Sequence, residues 1–164
     1  MCDHCGCRQG SIKELMDQHE VIAAIGDDLR RCLVAGDEWG ARTRLDDLLT
    51  ILRPHVQWEE AGLFARMSAQ GDFAGHVEAL EAEHASLYAQ AEMADAADSD
   101  WSAVVLEMLT DLDEHIYREN FGLFPGAISV LDGNDWDAIE AARPAACACG
   151  GTCGDVMSAA PSAG

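Results

Sequence analysis

The sequence predicts an all-α protein: an up-down-up-down four-helix bundle with a short extra C-terminal helix. Three observations carry this. Four long stretches place apolar residues at spacings of three, four and seven; the breaks between them, "GDE", "QGD" and "DSD", are short and polar; and strand signals are almost absent. At 164 residues, 49% of them hydrophobic, the chain is the size of one ordinary domain and has enough apolar material for a core. We read 1–10 as a Cys-rich N-terminal tail, 11–125 as the bundle, 126–143 as a short C-terminal helix and 144–164 as a flexible tail rich in Cys, Gly and Ala.

The first helix is expected from about Ser11 to Ala35, carried by Ile12, Leu15, Met16, Ile22, Leu29 and Leu33, with Ser11 and Glu14 as a capping box. The second, from about Glu38 to Ala69, lines up Leu45, Leu48, Leu52, Leu63 and Met67, and Pro54 within it predicts a kink. The third, from about Asp72 to Ala94, carries Phe73, Leu80, Leu87 and Ala91; the fourth, from about Trp101 to Phe124, carries Trp101, Val105, Met108 and Leu112. Beyond Pro125, "DGNDWDAIEAA" reads as one more short helix capped by Asn134 or Asp135.

A net charge of -20 argues against partners recognised through phosphate, so no nucleic-acid and no anionic-membrane binding is expected. The start, "MCDHCGCRQG", lacks a secretory pattern, and no apolar run reaches membrane-spanning length. The expected location is cytoplasmic, where seven cysteines are reduced thiols, more often metal ligands or redox groups than disulfides.

The apolar stripes carry polar residues that need an explanation. His19 lies between Leu15 and Ile22, His55 follows Leu52, Glu59 precedes Leu63, His84 lies between Leu80 and Leu87, and His115 follows Leu112 with Glu119 one turn on. At a rise of ~1.5 Å per residue, His19 and His115 fall at ~12 Å along the bundle, Glu59 at ~14 Å, His55 and His84 at ~18 to 20 Å, and Glu119 and His76 at ~6 Å. These heights form one neighbourhood. A lone buried carboxylate costs several kcal/mol unless it is paired or holds a metal, and no Lys or Arg shares these stripes nearby. One histidine on an apolar face is more often a satisfied core residue than a ligand, but four at one level, two of them in HxxxE pairs, point to metal. Imidazole with carboxylate suits iron, manganese or zinc, and two carboxylates able to bridge point to a dinuclear site.

The order His19, His55-x-x-x-Glu59, His84, His115-x-x-x-Glu119, in the strings "DQHEVI", "LRPHVQWEEAGLF", "EAEHASLYA" and "HIYRENFGLFP", resembles the hemerythrin-like (HHE cation-binding) family over about residues 11 to 125. The resemblance implies two non-haem iron ions in the bundle, held by these histidines and bridged by Glu59 and Glu119. It implies binding of, or reaction with, a small diatomic or peroxide ligand: dioxygen, peroxide or nitric oxide. Peroxide or nitric oxide oxidoreductase activity stays open as the enzymatic form. The alternative it allows is iron storage, sensing or iron-sulfur repair, with the Cys tails passing metal to a protein partner. Two departures from the oxygen carriers of that family stand out: Leu80 replaces a histidine four before His84, and Asn120 stands where they use an aspartate, so Glu119 takes the carboxylate role. His76, two turns before His84, is weighed evenly between a fifth imidazole ligand and an ordinary polar residue.

Glu60 and Tyr117 flank the ligand pairs as hydrogen-bond partners or proton sources, although helical phase sets them beside the stripe. Cys2, Cys5 and Cys7 at one end of the chain and Cys147, Cys149 and Cys153 at the other belong to tails that an even bundle brings to one pole. Three readings stay open for them: a second metal site, thiol redox chemistry, or a flexible tail. Cys32 reads as a small hydrophobe.

Overall fold

The computed structural model describes residues 5–96 and 100–145, with the side chains of residues 10–94 and 100–145. Helix α1 spans Cys5–Ala35 and α2 Glu38–Trp58; a π-helical segment π1 follows at Glu59–Phe64 and a single turn α3 at Ala65–Ser68. Helix α4 is Ala74–Ala96, α5 Trp101–Arg118, a second π segment π2 Glu119–Leu123, α6 Phe124–Val130 and α7 Gly133–Ala141. The bundle is therefore α1, then α2-π1-α3, then α4, then α5-π2-α6, with α7 as the extra helix. Among the described residues there is no strand.

The breaks fall where they are expected. After α1, Gly36 takes φ +71°, a conformation that side chains bearing a Cβ disfavour. Asp37 then caps α2, its carboxylate accepting from the Gly40 N–H at 2.9 Å. Gly71 at φ +68° turns the chain into α4.

Five expectations need correction. Helix α1 starts at Cys5, six residues before Ser11, so the expected 1–10 tail is partly helical. Ser11 is not its cap: the side chain is buried and its hydroxyl donates to Glu140 of α7 at 3.1 Å, so a tertiary contact has taken the group the cap needed. Around Pro54, α2 is an uninterrupted α-helix, and the departure from α geometry comes five residues later at Glu59. Pro125 does not end the last bundle helix either. It sits directly after the π turn within one continuous helix, and α6 runs on to Val130. Helix α7 is capped by Asp132, two to three residues ahead of the expected caps; its carboxylate accepts from the N–H groups of Asn134 and Asp135 while Asp135 answers in a full capping box.

The apolar residues divide into two clusters, and every bundle helix passes from one to the other. In one lie Ile22, Leu52, Leu87, Met108 and Leu112; in the other Leu15, Trp58, Leu63, Phe64, Leu80, Leu123 and Phe124. Helix α7 closes the second cluster. Trp136 and Ile139 are buried there, and the Trp58 indole N–H donates to the Ile139 carbonyl at 2.8 Å. Arg143 just beyond α7 lies over the Trp58 ring and pairs with Glu14 at 2.6 Å, which pins this end of the chain to α1. Cys32 is a free thiol packed against the first cluster, as a small hydrophobe would be.

Candidate metal centre

Each helix crosses from one apolar cluster to the other at a histidine: His19 on α1, His55 on α2, His84 on α4, His115 on α5. All four are buried, and Glu59 and Glu119, the first residues of π1 and π2, are fully so. Burying two carboxylates and four imidazoles in one layer is expensive unless something binds them.

The six side chains meet with their Nε2 and carboxylate oxygens inward. Glu59 Oε1 lies 3.2 Å from His55 Nε2 and 3.7 Å from His19 Nε2, while its Oε2 lies 3.6 Å from His84 Nε2. Glu119 Oε2 lies 3.2 Å from His19 Nε2, and its Oε1 3.3 Å from His115 Nε2. Each carboxylate thus turns one oxygen to a His19/His55 side and the other to a His84/His115 side. Two overlapping groups result, His19–His55–Glu59–Glu119 and Glu59–His84–His115–Glu119, each with its donor atoms within 4.8 Å of one another.

The outward nitrogens are all engaged. His19 Nδ1 donates to Asn120 Oδ1 at 2.9 Å, His55 Nδ1 to Gln18 Oε1 at 2.8 Å, His84 Nδ1 to Glu60 Oε1 at 2.9 Å and His115 Nδ1 to Glu83 Oε2 at 2.8 Å. A proton held on Nδ1 leaves the Nε2 lone pair for a metal. Each brace stands next in sequence to a ligand on the preceding helix, so the four bonds form a cycle from α1 to α2 to α4 to α5 and back to α1. Glu60 therefore has the supporting role the sequence left open. Tyr117 does not; it is exposed and packs on Phe121.

The π segments bring a phenylalanine to the face of each carboxylate ligand. The stretches "HVQWEEAGLF" at 55–64 and "HIYRENFGLF" at 115–124 share the pattern H-x-x-x-E-x-x-G-L-F, with equivalent residues sixty positions apart. In an α-helix, residues five apart point about 140° away from each other, so Glu and Phe would leave the same face. The wider π turn returns them to it, and π-bulges of this kind are frequent at functional sites. Phe64 stacks on the His84 ring at 5.4 Å and Phe124 on the His19 ring at 5.5 Å, the two contacts being equivalent across the repeat.

His76 falls outside both groups. It is exposed on α4 and lies against π2, where a Cβ on Gly122 would come within 3.3 Å of its ring. Eight residues separate it from His84, which turns it about 80° off the ligand face. Sequence reading also missed Gln18, Glu83 and Asn120 as braces. The available signal was their adjacency to His19, His84 and Glu119. Cys2, Cys147, Cys149 and Cys153 lie outside the described residues, as do the side chains of Cys5 and Cys7, so the expected tail site does too.

The electrostatics show how tightly the layer is coupled. Burial opposes a charge on His19, but Glu119 and Glu59 outweigh it and push its pKa up to about 10; burial likewise opposes a charge on His115, and Glu119 and Glu83 raise it to about 9. Burial alone would lift Glu59, yet His55 and His19 hold it below the usual carboxylate range. Glu119 is lifted by burial and by Glu59, and is held low by His115 and His19. In ion-free protein, protons thus stand where a cation would.

Whether the residues fit a metal is decided by their inner atoms. His19 Nε2, His84 Nε2, His115 Nε2 and all four oxygens of Glu59 and Glu119 are buried with no hydrogen-bond partner. Native interiors rarely leave one such atom unpaired, and here seven converge. The donors are nitrogen and oxygen with their outer sides fixed, which is the chemistry that divalent transition metals take.

Fold and site together define a metal-binding helical bundle. The chain belongs to the hemerythrin family: the model of the hemerythrin HHE cation-binding domain matches residues 10–127, well over half of its length. Comparisons with curated proteins and with solved structures returned no match. Among the described residues no helix is long and apolar enough to cross a membrane.

Proposed function

We propose that this protein is a non-haem di-iron protein that binds or reacts with a small oxidant: dioxygen, peroxide or nitric oxide. The observation that carries the reading is the division of Glu59 and Glu119, each with one oxygen toward either histidine pair, so that His19, His55, Glu59 and Glu119 would hold one ion and Glu59, His84, His115 and Glu119 another. Each half then offers two imidazole nitrogens and two carboxylate oxygens, fewer donors than a six-coordinate ion accepts. Held by these residues, a pair of ferrous ions would supply two electrons and open positions for a diatomic or peroxide ligand.

The chain's own residues do the rest. Gln18, Glu60, Glu83 and Asn120 fix the ring orientations, and Phe64 and Phe124 cover His84 and His19 with buried aromatic faces. The apolar clusters above and below exclude bulk water, which favours a small uncharged ligand over a large polar one. Outside the layer, no second cluster of buried ligating side chains exists among the described residues.

The test is metal content of protein purified without added metal, followed by anaerobic loading with ferrous iron and optical spectra on exposure to air, peroxide and nitric oxide. Two irons per chain, with charge-transfer absorption that responds to at least one of the three, supports the reading. Tight uptake of a single zinc, or spectra indifferent to all three, refutes it.

A further inference from the structure

The repeat that builds the site is broken at the braces. Across H-x-x-x-E-x-x-G-L-F, Glu60 is equivalent to Asn120, each following its carboxylate ligand; Gln18 and Glu83 correspond in the same way, each preceding its histidine. In both pairs one member is an amide and the other a carboxylate. The cyclic bonding then sorts them: the amides Gln18 and Asn120 support His55 and His19, and the carboxylates Glu60 and Glu83 support His84 and His115. One half of the site is backed by neutral groups and the other by anions.

Glu83 shares its charge with Arg118, which also pairs with Glu114 at 3.2 Å. Glu60 has no lysine or arginine within ion-pair distance among the described residues, so no ion pair competes with His84 for its carboxylate. A carboxylate behind a ligating imidazole raises its basicity and the affinity of the metal site, while an amide oxygen fixes the ring with much less electronic effect. Glu59 and Glu119 contribute one oxygen to each half and do not distinguish them.

From this asymmetry we propose that the two metal positions are unequal, the His84/His115 half taking up the first divalent cation and the His19/His55 half the second, with Glu60 as the principal discriminating residue. The inference rests on the two-ion reading above. Glu60 and Gln18 act through the histidines they brace and are positioning residues.

The experiment is an anaerobic calorimetric titration of the metal-free full chain with cobalt(II), whose visible spectrum reports its coordination number and geometry. Wild-type protein is expected to show two steps at least about tenfold apart in affinity, the scale of effect that such supporting groups exert. His84→Ala should abolish the tighter step and His55→Ala the weaker. Glu60→Gln, which keeps the hydrogen bond and removes the charge, should weaken the tighter step about tenfold and leave the other; Gln18→Glu should strengthen the weaker step. Mere structural damage would not move the two steps in opposite senses. Two equal steps in wild type, or Glu60→Gln acting on the step that His55→Ala removes, overturns the inequality while leaving the two-ion reading intact. No cobalt uptake by wild type overturns both.

Discussion

Removing the metal should cost this protein much of its heat resistance, and the size of the loss follows from the site itself. Seven buried donor atoms lack hydrogen-bond partners, and an unpaired buried polar atom costs about 1–3 kcal/mol. Protonation of His19 and His115 relieves some of that cost in the stripped protein. If bound metal relieves as few as two of the seven, the gain is about 2–6 kcal/mol. For a chain of this length each kcal/mol moves the melting temperature by about 2–4 °C, giving an expected difference of about 4–24 °C. The assay is thermal unfolding by circular dichroism on one preparation divided into loaded and chelator-stripped portions, with metal content measured on both. Equal melting temperatures at confirmed full loading would show that the layer does not hold the metal, and the argument from unpaired atoms would fail.

In stripped protein, stability should depend on pH in a definite way. His19 and His115 have folded pKa values raised from 6.5 to about 10 and about 9, so their contribution is complete below about pH 6.5 and is lost as pH rises toward 10; Glu59 and Glu119 are lowered from 4.5, so theirs is present above that value and lost in acid. Urea midpoints should therefore peak near pH 5–6.5 and fall on the alkaline side, and a flat midpoint from 6.5 to 10 would contradict the assigned partners. Trp58→Phe removes the buried donor to the Ile139 carbonyl and should cost about 1–3 kcal/mol in chemical unfolding, with loosening confined to α7 in hydrogen exchange. Gly126→Ala would set a Cβ 2.6 Å from the Phe73 ring, an overpacking expected to cost about 1–3 kcal/mol in the same assay. Pairing it with Phe73→Ala should restore part of that loss; a neutral single substitution would show the contact to be softer than drawn.

The bundle could be read from the chain because its information is periodic. Leu15, Leu52, Leu80 and Leu112 repeat at helical spacing, and a histidine one turn from each was visible as an interruption of that pattern. Glu59 and Glu119 were legible for the same reason, lying four residues from a histidine. What escaped was what periodicity averages away. The π segments change phase by a fraction of a turn within a stretch still rich in apolar residues, so Phe64 and Phe124 looked like ordinary core. Gln18, Glu83 and Asn120 are polar residues beside the stripe, and only the packing of neighbouring helices brings them to Nδ1 atoms on other elements. Ser11 carried a correct local signature for a cap, and α7 overrode it from more than a hundred residues away.

The cycle of braces also has an order in time. Three of its bonds join residues 24, 32 and 37 positions apart, but the fourth, from His19 to Asn120, spans 101. Closing that longest loop carries the greatest entropic cost, and on a ribosome it must wait for the last bundle helix to emerge. Until then His19 is unaimed and Glu119 is not yet present, so a nascent chain displays two or three imidazoles and one carboxylate without the enclosure that makes them a selective trap. Closure of the site is thus tied to the final docking event, and a stalled or truncated chain ending before Asn120 would lack the brace that aims His19.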